Sequence, residues 1–283
     1  MVVSWDKHTR SFLFLFAATV LISLSISITI AAADSPMAYK GKPFNLVRSN
    51  LKTAAGTSDT ADTFQIGDQT RPSQDAVDVS SYQGDMTQND YNILAKNGVK
   101  SVIVKLTEGT DYTNPYATTQ MKYAANAGLN VNIYHYATFG SSGQATSEAN
   151  YLLDVLKNNG INTNVKIFAD MESESTQSVN IESYLNTFWE TLKNGDYSNH
   201  GVYTFSSYPY RSAVINTVGE SNTWIAQFPY HPSADNLLNS NYGAWQFSQT
   251  AQIPGGTYAG GLDVSHDYQG IFSNGAGTEI FSA

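Results

Sequence analysis

The chain has no cysteine, which excludes disulfides, thiolate zinc sites and cysteine nucleophiles. It is also poor in charge: Asp, Glu, Lys and Arg make up 14% of its 283 residues. Cations are the scarcer sign, with 15 Lys and Arg against 24 Asp and Glu. A net charge of −9 cannot neutralise a phosphate backbone, so nucleic acid is excluded as a partner. It likewise disfavours electrostatic capture by an anionic surface. His135, His200, His231 and His266 lack a metal-ligand spacing such as His-Glu-x-x-His, so no metal and no other cofactor is expected. No glycine-rich phosphate loop follows the first strand-like segment, which argues against a nucleotide fold.

What fills the polar surface instead is Tyr, Asn, Ser and Thr, with 18 Tyr and 4 Trp in all. Flat rings cover the apolar faces of sugars while hydroxyl tips bond to sugar hydroxyls, so this composition suits carbohydrate binding. Packing of a large core is the competing use of the same aromatic residues.

Residues 1–33 read as an export signal. Lys7 and Arg10 precede an uncharged apolar run from Phe12 to Ile30, and Ala31-Ala32-Ala33 supplies a small-residue cleavage site. The run is long enough to span a bilayer, so a cleaved signal and an uncleaved membrane anchor both stand. Residues 34–72 carry no strong period and read as a linker or propeptide-like extension, or as a segment that packs on the domain. The folded domain is placed at 73–273, and 274–283 forms a short tail.

Within the domain, strands and helices alternate. Strands are expected at Ala76–Ser80, Ser101–Leu106, Leu129–Tyr136, Val165–Glu172 and Val202–Phe205. Helices are expected from Thr87 to Asn97, Pro115 to Ala127, Ala145 to Asn158 and Ile181 to Leu192. Three further strands follow, at Trp224–Phe228, Gly243–Phe247 and Gly261–Ser265, joined by Pro-, Gly- and Asn-containing connections without a helical period. Eight strands with this alternation predict an α/β fold, an irregular eight-stranded β/α barrel with helices mainly among the first five strands.

Val165 to Glu172 is an apolar strand that ends in two carboxylates, Asp170 and Glu172. Residues two apart on a strand share a face at roughly 6–7 Å. Two such acids are costly as mere structure. Asp78, in the first strand, and Asp263, in the last, are the centres of two similar segments, Asp78-Val79-Ser80-Ser81-Tyr82-Gln83-Gly84 and Asp263-Val264-Ser265-His266-Asp267-Tyr268-Gln269-Gly270. In a closed barrel these strands are neighbours, so four acids would face one mouth, at the C-terminal strand ends where barrel sites lie. Each alone suits a loop cap; together they suit glycoside hydrolysis, which needs a protonated acid beside a charged carboxylate. Glu172, the more distal of the pair, is the candidate acid.

From about Asp75 to Phe272 the chain resembles family 25 glycoside hydrolases, the Chalaropsis-type lysozymes (N-acetylmuramidases). The matching pieces run in the family's order: Asp78 to Gly84, Lys105-Leu106-Thr107-Glu108-Gly109, Asp170-Met171-Glu172, Trp224-Ile225-Ala226-Gln227, Trp245-Gln246-Phe247-Ser248 and Asp263-Val264. The resemblance implies an irregular barrel with a groove that cuts the β-1,4 bond between N-acetylmuramic acid and N-acetylglucosamine. Peptidoglycan glycan strands would be the partner. It implies Glu172 as proton donor and Asp78, Asp170 and Asp263 as companion acids. The substrate's own N-acetyl group could then serve as nucleophile. Glu108, Tyr136, Tyr203, Trp224, Gln227 and Trp245 are the candidate groove residues. Where many members carry an Asp after the Glu108 segment, this chain has Asn114-Pro115. No cell-wall-binding repeat and no obligate protein partner is evident. The expected product is a secreted, wall-associated enzyme, with a non-catalytic binding module on the same scaffold as the alternative.

Overall fold

The structure, a computed structural model, describes residues 62–282. The export signal or anchor at 1–33 and the greater part of the 34–72 segment lie outside the described residues. The remainder of that segment does not behave as a spacer. Phe64–Gln65 form a two-residue strand, β1, and Phe64 and Ile66 are buried in the core. The ordered domain therefore starts before residue 73.

The sheet that organises the chain is closed. Its first three barrel strands are β2 (Ala76–Val79), β3 (Ser101–Glu108) and β5 (Asn130–Tyr136). Next come β6 (Ile167–Asp170), β7 (His200–Phe205) and β8 (Thr223–Ala226). The circle is completed by β9 (Ala244–Gln252) and β10 (Leu262–Asp267). Neighbours pair in parallel from β2 round to β9, including β8 with β9. The last strand departs from a wholly parallel barrel: β10 runs antiparallel to both β9 and β2. The loop after β8 returns the chain to start β9 in parallel, whereas a direct turn after β9 reverses it. A short strand β4 (Tyr112–Thr113) folds back on the end of β3, and β1 lies along the far end of β9.

Helices fill the crossovers. They are α1 (Gln88–Lys96), α2 (Ala117–Asn126), α3 (Ser142–Asn158) and α4 (Ile181–Asn194). A short α5 (Arg211–Asn216), with no strong apolar period to announce it, joins β7 to β8. Helix α1 starts at Thr87, whose backbone N–H donates to Asp90 Oδ2 at 2.8 Å. It stops before Gly98, whose φ of +98° a side-chain-bearing residue rarely adopts.

The strands are buried on both faces. Outward residues such as Val77, Val79, Val102, Val104, Ile133, Ile167 and Ala169 pack with the helices. Inward ones form a second cluster: Ala76, Ile103, Tyr134, Phe168, Tyr203 and Trp224. Phe272, from the segment after β10, seals this cluster at the N-terminal end of the strands, with ring centroids 5.6 Å from Phe168 and 5.2 Å from Trp224. The barrel is thus a filled core at one end, and polar chemistry is left to the other. The 274–283 tail also packs: Ile280 is buried and Phe281 bridges to Ile161.

Candidate active site

Side chains alternate along β2, so with Val77 and Val79 turned to the helices, Asp78 points into the barrel. Its direct cross-strand partner on β10 is Asp263. Asp263 lies near the start of its strand, not the end, and reaches the same mouth because that strand is reversed. On β6 the same alternation turns Asp170 inward at the last strand position, with Tyr136 and Tyr203 as its flanking partners. Glu172 lies two residues beyond the strand; the residue is half-buried, with both carboxylate oxygens enclosed. The pair predicted for one strand face is therefore split between strand end and loop.

Burial and like charge dominate the electrostatics. Loss of water pushes the Asp78 carboxyl up to about 7, although Gln246 Nε2 donates to its Oδ2 at 2.7 Å. Asp170 is raised well above the usual carboxylate range, first by burial and then by Glu172, with Lys105 opposing. Neither Asp170 oxygen has a hydrogen-bond partner among the described residues. Asp263 is raised by burial, by Asp78 and by Glu172. These mutual effects show that all four acids share one electrostatic neighbourhood.

The surrounding aromatic and amide groups sort by strand face. Tyr203 is inward and fully buried, and its hydroxyl donates to Gln246 Oε1 at 2.8 Å. Gln246 thereby links Tyr203 to Asp78, a role the sequence does not mark, because nothing in it says whether Trp245 or Gln246 faces inward. Tyr136 sits at the mouth, its hydroxyl raised by burial and by the charges of Glu172 and Asp170. Glu108 faces it across the β3–β5 pairing. Its carboxylate accepts from Lys105 Nζ at 2.8 Å, the two side chains being 4% and 1% exposed. Lys105 is a second residue the sequence reading missed. A Lys inside an apolar strand gives little sign of which face it takes.

Two expected groove residues do not reach the mouth. Trp245 points outward, fully buried against Phe247, and its Nε1 donates to the Gln227 carbonyl at 2.8 Å. Trp224 points inward but lies within the sealed apolar cluster, bonded through Nε1 to Ser265 Oγ at 2.9 Å. Neither offers a face to a sugar. Gln227 is exposed at the rim, where its Oε1 accepts from Asn239 Nδ2 at 3.0 Å.

Asn114, at the position where an Asp was anticipated, is buried and bonded on both sides of its amide. Nδ2 donates to the Lys105 carbonyl and to Gln120 Oε1, each at 2.9 Å, and Oδ1 accepts from the Tyr116 N–H at 3.0 Å. It ties the loop to β3. His135 is equally structural, bonded at Nδ1 to Thr107 (2.8 Å) and at Nε2 to Glu148 (2.9 Å).

The profile of the family described as glycosyl hydrolases family 25 matches residues 77–256. The autolytic lysozyme of Clostridium acetobutylicum is 30% identical over 200 residues, covering 70% of this chain and 57% of that protein. The catalytic domain of endolysin ply40 from bacteriophage P40 of Listeria monocytogenes superposes with a TM-score of 0.56 at 20% identity, over 70% of this chain and 94% of that one. The modular autolysin LytC from Streptococcus pneumoniae, solved with a synthetic peptidoglycan ligand, gives a TM-score of 0.53 at 19% identity, over 67% of this chain and 45% of that one. At these identities the two structures establish a shared fold. The chain spans about half the length of the curated relatives it matches.

Proposed function

The chain belongs to glycosyl hydrolases family 25, and from that membership we propose that it is a lysozyme. It would hydrolyse the β-1,4 bond between N-acetylmuramic acid and N-acetylglucosamine in peptidoglycan. The observation that carries the reading is the convergence of Asp78, Asp170, Asp263 and Glu172 at the barrel end opposite the apolar cluster closed by Phe272. The lysozyme relative and the peptidoglycan-bound autolysin support the substrate class.

Glu172, two residues past the end of β6, acts as general acid. Its proton passes to the glycosidic oxygen as the C–O bond breaks. Positive charge then develops at the anomeric carbon. Asp170, whose oxygens have no hydrogen-bond partner among the described residues, faces that charge or orients the substrate N-acetyl group whose carbonyl oxygen meets it. Asp78 and Asp263 raise the proton affinity of the cluster, so that an acid stays protonated near neutral pH. Water adds to the anomeric carbon and its proton returns to Glu172. Glu108, Tyr136 and Gln227 supply polar contacts along the groove, with Tyr203 beneath them. Peptidoglycan lies outside the cytoplasm, so residues 1–33 direct export; N-terminal sequencing of the exported protein distinguishes cleavage from retention.

Digestion of purified peptidoglycan with analysis of new chain ends tests the reaction. New muramic acid reducing ends are expected. New free amino groups, or binding without product, overturn the proposal.

A further inference from the structure

Strict alternation along β3 would place Lys105 and Glu108 on opposite faces of the barrel wall. They are nonetheless bonded to each other inside the barrel. The reason lies in the register with β5. Lys105 pairs with Tyr134 and Thr107 with His135, so β3 advances two residues while β5 advances one. Leu106 is the extra residue of a β-bulge. Leu106 and Thr107 both turn toward the helices, where Leu106 joins the outer core and Thr107 bonds His135. The phase of the strand is reset, and Glu108 swings to the inner face opposite Tyr136. Asn114 pins the strand there through the Lys105 carbonyl.

The side chain of Lys105 enters a cage of rings. Its ammonium lies 4.8 Å from the centroid of Tyr136, 5.6 Å from Tyr112 and 6.0 Å from Tyr134. Such a charge is expensive to bury unless it balances others. Glu108 is its bonded partner. The groups beyond it are acids: Asp78 on β2, Asp170 at the end of β6, Glu172 two residues later, and Asp263 on β10. Tyr134 and Tyr136 from β5, with Tyr203 from β7, complete the ionisable groups around Asp170.

Resting on the lysozyme reading above, we infer that Lys105 is a positioning residue for the reaction: the bulge at Leu106 brings it together with Glu108, fixes that carboxylate in the mouth and lends positive charge to the acid cluster. Lys105 touches no substrate; it acts through Asp170 and Glu108. Its charge favours ionised Asp170, and this effect outweighs the smaller opposing one from Glu108.

Neutral variants separate this role from simple packing. In Glu108→Gln the acidic limb of the kcat/KM–pH profile moves to lower pH, because a negative neighbour of Asp170 is lost. In Lys105→Met it moves to higher pH by about one unit. The double variant Lys105→Met/Glu108→Gln removes both members of the ion pair, so Glu108 is not left buried without Lys105 and the fold is less destabilised than in Lys105→Met. Its acidic limb lies above that of Glu108→Gln, and above that of the wild type by less than in Lys105→Met. Folding is checked by thermal unfolding, and the Asp170 carboxyl is titrated directly by 13C NMR in the absence of glycan. The same ordering of Asp170 titrations supports the inference even if the wild type cuts no glycan, an outcome that would defeat the lysozyme reading alone. Coincident Asp170 titrations in Glu108→Gln and the double variant overturn the inference.

Discussion

Asp75 and Asp78 are three residues apart and titrate in opposite directions. Asp75 lies just before β2, at the N-terminal end of the barrel. There it accepts from Lys100 Nζ at 2.8 Å and from the Asp267 N–H at 3.1 Å, with His266 Nδ1 at 3.3 Å. These partners outweigh its partial burial and hold its carboxyl at about 2. Asp78, within β2, is fully enclosed, accepts from the Gln246 amide and faces Asp263; it is pushed up to about 7. One end of the barrel satisfies its acid as an anion, and at the other burial outweighs every favourable partner of Asp78, Asp170 and Asp263. The difference separates a carboxylate that holds the fold together from one that is costly to the fold and that the proposed reaction would use.

The comparison breaks most sharply at the mouth. Glu172→Gln should reduce release of muramic acid ends by about 10²–10⁴-fold, with an unchanged circular dichroism spectrum; full turnover would remove Glu172 from the acid role. Next comes Asp78→Asn. Because the folded carboxyl is raised, Asp78 costs stability as pH rises from its ordinary value near 4 toward 7. The Asn variant should therefore lose activity yet unfold at higher denaturant than wild type at pH 7, and its stability should fall less across that interval.

Asp75→Asn should do the reverse. The lowered carboxyl gives stability that is present above about 4 and lost as pH falls toward 2. Denaturant titration at pH 7 should show a loss of roughly 1–2 kcal/mol that fades in acid, with kcat/KM unchanged. Equal effects of Asp75→Asn and Asp78→Asn would erase the distinction between the two ends. The smallest effect is expected in the outer wall. Trp245→Phe forfeits the bond to the Gln227 carbonyl, and Tm should drop by roughly 2–4 °C with little change in KM. A large rise in KM would return Trp245 to the groove.

Much of this was legible before any coordinates. The eight barrel strands and the four long helices fall where apolar runs and glycine stops put them. What was missed is short or sparse: α5 has six residues, β1 has two, and the tail anchors itself through single buried residues such as Ile280. Segments of this size bury too little to print a period.

By itself the sequence determined the α/β alternation, the eight strands and the candidate acids, since each rests on local apolar patterning and on residue type. Tertiary structure alone decided which face each side chain takes. A strand buried on both sides carries no polar stripe to mark its inner face, so Trp245 and Gln246 could not be told apart. Phase also fails across a bulge: an extra residue at Leu106 reverses everything after it and brings Lys105 and Glu108 together. The reversed last strand did the same for Asp263, which reaches Asp78 from the beginning of its strand because β10 runs the other way.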